Sequence, residues 1–191
     1  PPGVVIAIFE GAGIDGTELH RQTVVTPHDS GRVTPMEEYV LSADVPVTEG
    51  QVYTIALALD GAGYGGFCGV VDDVYDGGTS YFNGQEFQDA DATFKAIIRS
   101  TRRDVAPPEE VTIIEQTVSQ TCWGLDRLPS INDGQSFTAP VDGFLNSLHM
   151  ALQAGAEELD DIPGRPDIEC TVNPPGVVIA IFEGAGIDGT E

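Results

Sequence analysis

The chain has little positive charge. Its 191 residues include eight Lys and Arg together, with Lys95 as the one lysine, against 31 Asp and Glu. A formal net charge of −23 at pH 7 repels phosphate groups at every approach. Nucleic acids and anionic membranes are therefore not expected as partners. The shortage of lysine beside abundant carboxylates suits a salty or calcium-rich exterior, so we expect an extracellular or cell-surface location; the alternative is an acidic surface that serves solubility alone.

The sequence also lacks the marks of membrane spans and of common hydrolases. No apolar run approaches the roughly 18 residues of a membrane-spanning helix, so no membrane insertion is expected. The three histidines, His20, His28 and His149, show neither HxxxH nor HExxH spacing, and no G-x-S-x-G motif occurs. We expect a protein that is not an enzyme and that needs no cofactor.

What the sequence does contain is an internal repeat. Residues 1–18, PPGVVIAIFEGAGIDGTE, recur letter for letter as residues 174–191, at an offset of 173 residues. Fixed-period self-similarity is the signature of arrays, and this period is long enough for a whole domain. The sequence therefore predicts one 173-residue period followed by the start of the next.

The repeated segment predicts a β-strand followed by a glycine-rich turn. The apolar run at residues 4–9 suits a strand that is covered on both faces, because an exposed strand of this kind pairs with other chains. One fold has room for one copy, so the other copy should complete a neighbouring unit, begin a covalently attached one, or stay frayed. The predicted inter-unit strand residues are Val4, Val5, Ile6, Ile8 and Phe9 in the first copy and Val177, Val178, Ile179, Ile181 and Phe182 in the second.

Between the two copies the pattern is all-β. Short runs of β-branched and apolar residues alternate with turns, and 23 glycines and 13 prolines mark the connections. Residues 144–159 have apolar positions near helical spacing, but we favour a strand over residues 145–154 because a hairpin turn, APVDG, precedes it. We expect an antiparallel β-sandwich whose terminal strand is shared with or continued into the next unit.

Residues 102–110 read as a linker, because they contain two prolines and charges of both signs. On this interpretation residues 1–101 are the larger part of one sandwich. Residues 111–191 then begin the next sandwich and end in the copy of residues 1–18. A complete unit would run from about Val111 through the next copy of residues 1–101.

Five pieces of the chain, taken in the order of such a unit, carry a family resemblance. They are QSFTAPVDGFLNSLHMALQAG, VVIAIFEGAGIDGTEL, PVTEGQVYTIAL, DVYDGGTSYFNGQ and DADATFKAII. Together they resemble a secreted bacterial β-sandwich module that is common near cell-surface sorting anchors. In that family a Tyr-x-Gly-Gly turn precedes a final Asp-x-x-Phe strand, and residues 75–78 and 91–94 match these motifs. The resemblance implies a jelly-roll-like sandwich on an exported protein and implies nothing about a ligand.

Cysteine is scarce, and Cys68, Cys122 and Cys170 show no CxxC spacing. In an exported protein one bridge and one remaining thiol are expected, and we predict Cys122 with Cys170 because both lie in the same half of the period. The alternative is three reduced, buried cysteines that act as small apolar residues.

An acidic turn is the one candidate metal site. Asp72, Asp73 and Asp76 surround a turn and could supply carboxylate oxygens to calcium, or they could simply fix the turn as solvated residues.

These features lead to a structural function. We expect a repeat or subunit of an extracellular filament or surface stalk, whose partners are identical units joined head to tail through the repeated strand, as a tandem array or as separate subunits. The alternative is a carbohydrate-binding or calcium-dependent adhesion module, with a carbohydrate as its partner.

Overall fold

The computed structural model describes residues 3–26, 35–101, 110–114 and 121–155. The regular structure of this part of the chain is all β-strand, which confirms the predicted fold class. It contains no helix long and apolar enough to cross a membrane. The strands are β1 (Gly3–Glu10), β2 (Glu18–Val24), β3 (Glu37–Val47), β4 (Val52–Asp60), β5 (Tyr64–Val70), β6 (Ser80–Phe82), β7 (Gln85–Phe87), β8 (Asp91–Ala92), β9 (Phe94–Ser100), β10 (Glu110–Ile114), β11 (Thr121–Gly124), β12 (Asp133–Thr138), β13 (Gly143–Met150) and β14 (Leu152–Gly155).

The strands form three antiparallel sheets. The largest has the order β2-β1-β4-β12-β6-β7, and the second has the order β10-β9-β13-β3. In the third, β5 pairs with β11 and with the short strands β14 and β8. Strand β14 follows β13 after one residue and β8 precedes β9 by one residue, so β5 lies across the end of the β9–β13 pair. This arrangement is consistent with a β-sandwich.

Side chains from all three sheets meet in one apolar core. Alternate residues of the strands point inward, because successive side chains on a strand lie on opposite faces. The fully buried large side chains are Ile6 and Ile8 on β1, Ile55, Leu57 and Leu59 on β4, Phe67 on β5, Phe94 and Ile98 on β9, Phe137 on β12, and Leu145, Leu148 and Met150 on β13. The strand prediction for residues 145–154 is confirmed, because they form most of β13 and β14.

The predicted division of the chain is wrong for the described residues. Strand β12 lies between β4 and β6, and β13 lies between β9 and β3. Residues 121–155 therefore share sheets with residues 3–101 and do not begin a separate sandwich. Of the predicted linker, Glu110 begins β10, which pairs with β9, and residues 102–109 lie outside the described part. The jelly-roll arrangement stays a prediction.

A side chain joins the edges of the two large sheets. Gln22 on β2 accepts a hydrogen bond from the backbone N–H of Ser42 (2.7 Å) and donates one to the carbonyl of Val40 (3.1 Å). The side-chain amide of Gln22 thus pairs with two backbone groups of β3, as a neighbouring strand would. Satisfying backbone groups in this way protects an edge from pairing with other chains.

A buried polar network fixes the segment between β5 and β6. Asp91 is fully buried, and its Oδ2 accepts hydrogen bonds from the backbone N–H groups of Val74 (2.8 Å) and Tyr75 (2.9 Å). Its Oδ1 accepts from the side-chain amide of Gln135 (3.0 Å), whose own oxygen accepts from Ser80 (2.6 Å). Full satisfaction of these groups offsets the cost of burying them.

A second buried carboxylate makes the stability of the fold depend on pH. Asp133 is 1% exposed and accepts hydrogen bonds from the backbone N–H groups of Asn83 (2.9 Å) and Asp126 (2.8 Å). Burial raises the pKa of Asp133 above its ordinary value of 3.8, and these hydrogen bonds oppose the rise. The native state therefore holds its proton up to a higher pH than the unfolded chain does.

We expect the wild type to gain stability relative to Asp133→Asn as the pH falls from 7 toward 4, because proton uptake at Asp133 favours the native state in this window. Urea denaturation of both proteins at several pH values measures the difference. The exposed Asp76→Asn variant controls for the loss of one charge. Equal pH dependence of the wild type and Asp133→Asn would contradict this assignment.

Candidate inter-unit strand site

The first copy of the repeat forms an interior strand of the largest sheet. Strand β1 pairs with β4 over its whole length, from Gly3 opposite Asp60 to Glu10 opposite Tyr53. Its other edge pairs with β2, where Ile6 lies opposite Gln22. Both backbone edges of the segment are thus occupied.

Both faces of β1 are buried, as the continuous apolar run predicted. Val4, Ile6 and Ile8 belong to the main core. On the opposite face, Val5, Ala7 and Phe9 form a second buried cluster with Ala56, Ala58 and Ile131. At about 25 cal/mol per Å2 of apolar surface, the burial of these side chains stabilises the strand in this position by several kcal/mol.

The turn that follows β1 is held by a buried threonine of β4. Thr54 is fully buried, its Oγ1 accepts a hydrogen bond from the N–H of Gly13 (2.8 Å), and the hydroxyl donates to the carbonyl of Gly11 (2.8 Å). Gly13 has a φ of 85°, which favours glycine. A Cβ on Gly16 would lie 1.7 Å from the carbonyl oxygen of Glu10. Thr54 therefore holds the turn of the first copy against β4, and no sequence signal marks Thr54.

The second copy lies outside the described residues. Val177, Val178, Ile179, Ile181 and Phe182 therefore remain predicted inter-unit residues on the basis of sequence identity with β1.

The predicted disulfide pair is wrong. Cys122 bonds to Cys68, and the two residues lie directly opposite each other on β11 and β5. The pairing follows from strand order, because antiparallel neighbours bring residues 54 positions apart into contact. The N–H of Cys68 donates to the carbonyl of Ala151, and its carbonyl accepts from Thr93. The bridge thus fastens β11 at the junction of β5 with β14 and β8. Cys170 lies outside the described residues.

The acidic turn is not part of a cluster of metal-ligating side chains in the described residues. Asp72, Asp73 and Asp76 are all exposed, and the described part of the chain holds no group of three or more His, Cys, Asp or Glu that could bind a metal ion. The backbone of this segment is held by Asp91, through Val74 and Tyr75. The calcium prediction therefore receives no support, and the solvated-turn alternative accounts for these residues.

Comparison with known proteins leaves the family open, because no family model, curated protein or solved structure matches the chain. The resemblance to a bacterial surface module stays a prediction from the sequence.

Loss of the Cys68–Cys122 bridge should lower the free energy of unfolding by about 4 kcal/mol, since the bond closes a loop of 54 residues in the unfolded chain. Denaturation of the Cys68→Ala/Cys122→Ala double variant measures this loss, with Cys170→Ser as the matched control. Peptide mapping without reduction should find Cys68 linked to Cys122. A peptide that links Cys170 to either residue would refute the pairing.

Thr54→Val should destabilise the fold by about 1 to 3 kcal/mol, because it leaves the N–H of Gly13 and the carbonyl of Gly11 without their partner. Thr54→Ser keeps the hydroxyl and should recover most of this loss. Chemical denaturation of the three proteins is the measurement. If the valine variant is as stable as the wild type, the hydroxyl does not hold the turn.

Proposed function

We propose that the chain is a structural unit of an extracellular filament or surface stalk, without catalytic activity, in which successive units are joined head to tail through the repeated segment. The observation that carries this proposal is the position of β1. The strand fills an interior position of its sheet, with both edges paired and both faces buried.

A single unit offers one such position. Residues 174–191 have the same sequence as residues 1–18, and hence the same preference for a site between partners equivalent to β2 and β4. With the position in its own unit taken, the second copy needs a site in another unit. That unit is either the next period of a longer chain or a separate subunit, and joining by an added strand is a known mode of protein association.

The order of the strands supports continuation from one period to the next. Strands β12 and β13, from the end of the period, pair with β4, β9 and β3, from its beginning. In a tandem array the same strands could close on the period that follows, with residues 174–191 in the place of β1. A head-to-tail contact of this kind is heterologous and does not need to close into a ring, so it can build filaments.

Two further features fit an exterior structural protein. The Cys68–Cys122 bridge suits an oxidising compartment. The net charge of −23 opposes lateral clumping of neighbouring chains. The resemblance to bacterial surface modules points to the same location.

A permuted chain tests whether the second copy can replace β1. Residues 110–191 are joined directly to residues 19–101, so that residues 174–191 precede β2 as residues 1–18 do in the original chain. We expect a folded monomer with cooperative unfolding and the Cys68–Cys122 bridge. In the same chain Ile179→Asp should abolish folding, because it would place an unpaired carboxylate at the buried position of Ile6.

The matched control is the exposed Val40→Asp change in the permuted chain, which should fold. Chains of two, three and four periods then test the filament itself. We expect their maximum dimension in small-angle X-ray scattering to grow linearly with the number of periods. The proposal would be refuted if the permuted chain does not fold while the original chain does. It would also be refuted if the longer chains form compact particles.

A further inference from the structure

The outer face of the β9-β13-β3 sheet carries a depression of about 330 Å3. Its residues lie in cross-strand rows. Ile97, Ser147 and Val40 lie opposite one another in the middle row, where Ser147 is 4% exposed and Val40 is 68% exposed. The small, buried Ser147 is thus the low point between the larger side chains of Ile97 and Val40, and we call this depression the trough.

Polar side chains border the trough on both sides. One rim is the row of Lys95, His149 and Glu38, which are opposite one another on β9, β13 and β3. The other rim contains Arg99 and Asn146, which also line the depression, together with Asp44. Asn146 donates a side-chain hydrogen bond to Asp44.

The rims keep capacity for further hydrogen bonds. His149 Nε2 lies 3.9 Å from Glu38 Oε1, and Arg99 Nη1 lies 3.9 Å from Asp44 Oδ2. Both distances exceed that of a hydrogen bond, so each pair can still bond to a hydroxyl group placed between its members. Lys95 makes no ion pair with the residues that the structure describes.

The charges of the trough are balanced. Two positive side chains, Lys95 and Arg99, are matched by two negative ones, Glu38 and Asp44. Burial and the nearby charge of Lys95 lower the pKa of His149, which favours its neutral form. Lys95 and Arg99 are also two of the four basic residues within the described ranges, the others being Arg21 and Arg127. In a protein of net charge −23, such a balanced surface selects neither an anion nor a cation.

We propose that this trough binds an uncharged polysaccharide chain. A sugar ring has apolar C–H faces and a hydroxyl edge, which match the apolar side chains of Ile97 and Val40 between rims of amide, imidazole and charged groups. Phe144, 37% exposed, lies opposite Arg99 on the same outer face and extends the apolar surface beyond the rim. This inference does not depend on how successive units are joined.

Affinity electrophoresis of the full chain in native gels tests the proposal. The neutral probes are dextran, hydroxyethyl cellulose, laminarin and arabinoxylan, and alginate is the anionic probe. We expect at least one neutral polysaccharide to retard the wild type. His149→Ala and Asn146→Ala should each weaken the binding about tenfold, since each removes one hydrogen-bonding side chain.

Gln85→Ala is the control, because Gln85 is exposed on β7 in the other sheet and should leave binding unchanged. Thermal unfolding verifies that each variant is folded, and His149→Gln replaces His149→Ala if the latter is not. Three results would overturn the proposal: no retardation by any neutral probe, retardation by alginate alone that salt abolishes, or neutral binding that the His149 and Asn146 variants leave unchanged.

Discussion

The burial of one apolar strand on both faces is the constraint on which the rest of the structure depends. A strand of this kind needs a hydrogen-bonding neighbour on each edge and an apolar cover on each face, because unpaired backbone groups and exposed apolar surface are both costly. Strand β1 obtains its neighbours from β2 and β4. Its covers are the main core and a smaller cluster that includes Ala56, Ala58 and Ile131.

This requirement connects the two ends of the period. Strand β4 pairs with β1 along one edge, and the backbone groups of its other edge need partners as well. Strand β12 supplies them. The main core needs a second sheet, and the centre of that sheet is the β9–β13 pair. Residues from the last third of the period are therefore as necessary to the position of β1 as those from the first. Within the described residues, strands from both ends of the period share sheets, so no boundary separates them.

Features that rest on local pattern could be predicted from the sequence, and features that rest on strand order could not. The apolar run of β1 and the turn before β13 are local, and the structure contains both elements. The bond between Cys68 and Cys122 depends on the pairing of β5 with β11, which nothing near either cysteine indicates. For the same reason prolines and mixed charges at residues 102–110 suggested a boundary between strands that in fact share sheets. Thr54 and Asp91 are recognisable only once the turn and the segment that they hold are adjacent to them.

The two proposed roles use different sheets and therefore do not compete. The repeated strand lies inside the β2-β1-β4-β12-β6-β7 sheet, whereas the trough lies on the outer face of the β10-β9-β13-β3 sheet. Occupation of one site does not cover the other. In an array each period would repeat the trough, and weak single sites become effective when a linked neighbour raises the local concentration of the ligand. A charge-balanced trough is suited to this arrangement, because the negative charge that would keep neighbouring chains apart would not weaken its binding of an uncharged ligand.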